Sequence, residues 1–80
     1  MEDLDKKTIK KLVKITSELP EDVCASLMIH PMYRGFKKVE TLAKELNLKK
    51  DELGDYRFET DNKRNYVVFF NPTRVHGVER

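Results

Sequence analysis

Residues 39–58, VETLAKELNLKKDELGDYRF, decide how this chain is read. Leu42, Ala43 and Leu46 share one face of a helix that the apolar spacing predicts over about residues 36–46. Asn47 stands where the chain must turn sharply, and asparagine tolerates the left-handed backbone better than most residues. Leu48 plugs the corner, and Leu53 returns an apolar side chain from a second short segment. Ala43 is small where that segment would cross the first. Two short helices joined by a tight turn are therefore expected.

Outward from this unit, residues 3–18 have the pattern of an amphipathic helix. Ile9, Leu12, Val13 and Thr16 fall on one side, and Lys6, Lys7, Lys10, Lys11 and Lys14 on the other. Asp3 and Asp5 favour the start of that helix through its dipole. Pro20 suits the first position of a second helix, with Glu21 and Asp22 in its first turn. Val23 and Leu27, with Cys24 and Met28, would form its buried face. HPMYRGF at 30–36 breaks the helical period, and Met28, Met32, Tyr33 and Phe36 are expected to pack beneath that loop. After Gly54 the period changes: Tyr56, Phe58 and Thr60 alternate with Arg57 and Glu59. The polar turn DNKRN at 61–65 and the run YVVFF at 66–70 complete a β-hairpin, and residues 71–80 read as a loosely held tail.

Composition bounds the class. Eighty residues make a single small domain, 1–80, and 39% hydrophobic with 38% charged residues describes a globular chain with a dense charged surface. No apolar run approaches the ~20 residues that a membrane-spanning helix needs, so no membrane partner is expected. The start MEDLDKK lacks the apolar region of a secretory signal, and the single Cys24 makes no internal disulfide, so a cytoplasmic location is expected. Net charge is only +2, distributed as +2 over residues 1–14, −1 over 15–48, zero over 49–65 and +1 over 66–80.

Three or four helices followed by a hairpin is an element order that resembles a winged helix-turn-helix domain, over about residues 36–70. The resemblance implies an α+β fold: an N-terminal helical cluster with a helix-turn-helix-like unit, then a two-stranded antiparallel hairpin. It also implies a small non-enzymatic nucleic-acid-binding, transcription-regulating domain with DNA or RNA as partner. On that reading Lys49 and Lys50 approach a groove, Lys63 and Arg64 engage the backbone from the wing, Arg57 lies beside them on the first strand, and Lys37 and Lys38 anchor neighbouring phosphates.

A rival reading keeps the scaffold and makes it a protein-interaction or regulatory module, supported by the acidic Asp51, Glu52 and Asp55. Strand 66–70 supports it too: Val67 and Phe69 lie opposite Tyr66, Val68 and Phe70, so both faces are apolar and something should cover the first pair. The expected covers are residues 71–80 or a second subunit. Arg34, Val67 and Phe69 are then the candidate partner surface, in a homodimer or with another protein.

Catalysis has little to build on. His30 and His76 lie in separate loops without a serine or acid at a useful spacing, and Cys24 is expected to be a buried small hydrophobe. One cysteine and two distant histidines give no metal-ligand pairing, and Gly35, Gly54 and Gly77 form no phosphate loop. No enzyme activity, metal or other cofactor is expected. The lysine stripe of residues 6–14 reads as a solvated face.

Overall fold

Asp5 opens the first helix, α1 (Lys6–Ser17), by accepting a hydrogen bond from the Thr8 N–H at 2.8 Å. Ile9, Val13 and Thr16 are buried along one side of α1, and the Thr16 hydroxyl is satisfied by the Leu12 carbonyl at 2.8 Å. This is a computed structural model, and it describes residues 4–73. Those residues form two helices and a four-stranded mixed sheet, an α+β fold. In chain order α1 is followed by β1 (Ser26–Ile29), α2 (Tyr33–Leu42), β2 (Lys49–Lys50), β3 (Tyr56–Glu59) and β4 (Tyr66–Phe69). The strands lie side by side as β1-β4-β3-β2, with β1 parallel to β4 and the other pairs antiparallel.

The helix expected from Pro20 is instead a turn followed by β1. Val23 N–H closes the turn on the Pro20 carbonyl at 3.0 Å, and the Ala25 N–H is taken by the Asn65 side chain at 2.6 Å. The Tyr66 N–H then donates to the Ala25 carbonyl at 3.2 Å, which starts the parallel ladder. A short apolar run such as Leu27-Met28-Ile29 suits helix or strand by composition alone. The free side of β4 decides it.

Asn47 does adopt the left-handed conformation, at φ 58°. α2 ends at Leu42 with Ala43 as its C-cap, short of the expected residue 46, and Asn47 closes the turn that follows. The Leu48 N–H reaches back to the Ala43 carbonyl at 2.8 Å, and the Leu48 and Ala43 side chains are buried in the core. No second helix follows. Lys49 and Lys50 pair with Arg57 and Tyr56, and Asp51 turns the chain by accepting the N–H groups of Leu53 and Asp55 at 2.9 and 3.0 Å. Gly54 completes that turn at φ 88°, a conformation that disfavours a side chain. Leu53, expected in the core, is 59% exposed. The sheet accordingly has four strands where the hairpin alone was expected to supply two.

Ile9 and Val13 of α1, Val39, Leu42 and Ala43 around α2, and Leu48, Val67 and Phe69 make one core between the helices and a single face of the sheet. Val67 and Phe69 are fully buried there. They are packed in this core beneath the helices, so they offer no partner surface. Most of the proposed tail, residues 74–80, lies outside the described residues. Phe36 joins the core against Tyr56, as expected, but Met28, Met32 and Tyr33 are each 57% exposed. Among the described residues no helix is long and apolar enough to cross a membrane.

Candidate functional site

A groove of about 800 Å³ runs along the β2 side of the sheet, where β3 continues past the end of its short partner. Ala43, Lys44, Asn47, Leu48 and Lys49 form one wall, and Arg57, Phe58, Glu59, Thr60, Asp61 and Lys63 the other, with Ser17 at one end. The left-handed turn at Asn47 builds the first wall by carrying the chain from the end of α2 into β2, beside β3. The turn between β3 and β4 builds the second. There the Asn62 side chain accepts the Arg64 N–H at 2.9 Å and the Thr60 hydroxyl at 2.6 Å, and Lys63 sits at φ 60°.

Charge in the groove is uneven. Lys44, Lys49, Arg57 and Lys63 face only two carboxylates, Glu59 and Asp61. Arg57 binds Glu59 at 3.3 Å and lays its guanidinium over the Tyr66 ring at 4.3 Å, while its buried Nε has no hydrogen-bond partner. Among the described residues, Lys44, Lys49 and Lys63 pair with no carboxylate. The wall also offers backbone groups. Thr60 donates its N–H to Asn65 at 3.0 Å, so the alternation of an antiparallel ladder turns the N–H and C=O of Glu59 away from β4, to the side where β2 has ended.

Of the cations expected to form one basic surface, Lys49, Arg57 and Lys63 meet in the groove. Lys50 is exposed beside them on β2. Lys37 and Lys38 lie outside the groove on α2, where Lys37 binds Glu40 at 3.7 Å and sits over the Tyr33 ring. Arg34, exposed in the first turn of α2, is also outside it. Arg64 points the other way. It donates to the Glu21 carbonyl at 3.0 Å and to Cys24 Sγ at 3.2 and 3.0 Å, pinning the loop before β1. Cys24 is exposed, not buried as expected.

Lys44 and Ser17 were not singled out by sequence. Lys44 lies three residues before the left-handed Asn47, and that reversal was the available sign that its side chain would overlook the next strand. The acids that weighed against a polyanion are elsewhere. Asp51 and Glu52 occupy the β2–β3 turn, outside the groove lining, and Asp55 is buried with its carboxylate accepting the Asn71 N–H at 2.7 Å. Among the described residues no three His, Cys, Asp or Glu side chains gather as a metal site. Comparison with protein-family models, curated proteins and solved structures gave no match.

Proposed function

We propose that this chain is a small non-enzymatic nucleic-acid-binding module that seats a phosphate backbone in the groove beside β2. The observation that carries this reading is the gathering of Lys44, Lys49, Arg57 and Lys63 around one groove against two carboxylates. Three of these cations are unpaired among the described residues, so a phosphate does not have to displace an internal carboxylate from them. The outward Glu59 N–H adds a neutral donor of the kind that often meets phosphate oxygens. In this reading the β3–β4 turn acts as the wing, with Lys63 as its contact. No helix lies between α2 and β3, where residues 49–55 were expected to supply one for a major groove, so the contact is mainly to backbone, with weak sequence preference.

The test is a titration of mixed-sequence DNA and RNA, duplex and single-stranded, across a series of salt concentrations. With three or four phosphates neutralised, log K should fall against log salt with a slope of about −2 to −4. Absence of binding at low salt, or binding indifferent to salt, would overturn the reading.

A further inference from the structure

Residues 23–33, VCASLMIHPMY, are the longest stretch without Lys, Arg, Asp or Glu in a chain that is 38% charged. The next longest, residues 65–73, contains β4, which has strand neighbours on both sides. The first contains β1, which among the described residues has a strand neighbour on one side only. β1 thus has the composition of an interior strand in the position of an edge.

Its backbone is oriented for pairing. Tyr66 and Phe70 donate to the carbonyls of Ala25 and Ile29, at 3.2 and 2.9 Å. Alternate residues of a strand face opposite sides, so Ala25, Leu27 and Ile29 address β4 while Ser26 and Met28 turn their N–H and C=O groups outward. Met28 is 57% exposed beside them. Edge strands are usually guarded by lysine, proline, a bulge or an inward charge, and Ser26–Ile29 has neither a charged residue nor proline.

We infer that β1 pairs antiparallel with β1 of a second copy across a two-fold axis. Leu27 lies at the axis, and Ser26 of each copy meets Met28 of the other. Each copy then gives two outward donors and two outward acceptors at matching positions, so the edge is complementary to itself, as an isologous interface must be. No charge opposes its own image. The β2 edge cannot serve in this way: it is two residues long and both are lysine, which would meet like charge across a two-fold. The joined sheet has eight strands, with a basic groove at each far end. The inference does not depend on what the groove binds.

Sedimentation velocity over a wide concentration range, on wild type and two variants, tests it. Met28→Pro removes an N–H that points away from β4, so the monomer keeps its ladder and loses the outward bond. Ser26→Lys with Met28→Lys keeps every N–H and sets lysines against one another across the axis. The wild type should be dimeric at high concentration, and both variants monomeric with the wild-type circular dichroism spectrum. Should the proline variant fail to fold, the double-lysine variant decides. A wild type that is monomeric throughout overturns the inference, and so does a dimer that survives in a folded variant.

Discussion

The two edges of the sheet are built to opposite rules. At β2 the pairing is only Lys49 with Arg57 and Lys50 with Tyr56, both strand residues are cationic, and the chain reaches them through the left-handed turn at Asn47. At β1 four consecutive residues pair with β4, none of them charged. The first edge repels a second strand and leaves its cations beside a groove. The second presents outward backbone groups from Ser26–Ile29, a segment with no charged residue and no proline to discourage pairing. Edge chemistry, more than the core, separates what each end of this small domain is able to bind.

The largest expected effect lies between the edges. Phe69 is fully buried in β4, so Phe69→Ala should cost about 3–5 kcal/mol in denaturant unfolding. Met28→Ala on the exposed side of β1 should change monomer stability by no more than about 0.5 kcal/mol. Similar losses at both positions would mean that β1 is not an edge.

Asn65 anchors the start of β1 through its bond to the Ala25 N–H and is 2% exposed. Asn65→Ala leaves that N–H unpaired, and unfolding should show a loss of about 1–3 kcal/mol. Hydrogen exchange should rise at residues 25–29 before it rises at β3. Uniform loss of protection would remove the distinction between the two sides.

At the other edge, Lys49→Ala with Lys63→Ala should leave the unfolding midpoint nearly unchanged. The salt slope for nucleic acid should become shallower by about 2, one for each phosphate no longer neutralised. An unchanged slope would take these lysines out of the interface.

The smallest effect lies away from both edges. Hydrogen bonds donated by Thr8, first from its side chain and then from its backbone N–H, hold the Asp5 carboxyl below its ordinary value of 3.8, with smaller help from Lys38 and Lys7. A carboxyl lowered in the folded state stabilises above that ordinary value and loses the contribution as pH falls through the folded value. Asp5→Asn keeps a capping side chain but should remove this part of the acid dependence. Melting curves of the two proteins should differ in pH dependence only in that acid window.

How much of this was legible in sequence follows from which forces act locally. The β3–β4 hairpin was readable because Tyr56–Thr60 alternates and DNKRN breaks it, and α1 because Ile9, Val13 and Thr16 recur at helical spacing. The sharp turn at Asn47 was readable from asparagine's tolerance of positive φ, although α2 itself runs from Tyr33 to Leu42 and not over 36–46. β1 was not, because Leu27-Met28-Ile29 becomes a strand only through β4, which arrives about forty residues later in register with it. β2 was not, because the Asp51 side chain and Gly54 favour a hairpin turn over the helix that KKDEL suggests. In the site, Lys49, Arg57 and Lys63 were foreseen. Lys44 entered through the turn that follows α2, and Arg64 left through its bonds to Glu21 and Cys24.

The most direct test of the division between the edges is a backbone amide NMR titration with a short mixed-sequence oligonucleotide at low salt. Shifts should concentrate at residues 43–49 and 57–63, the two walls of the groove, while residues 24–30 around β1 stay in place. Shifts centred on β1, or groove amides that do not respond while the oligonucleotide binds, would contradict the account.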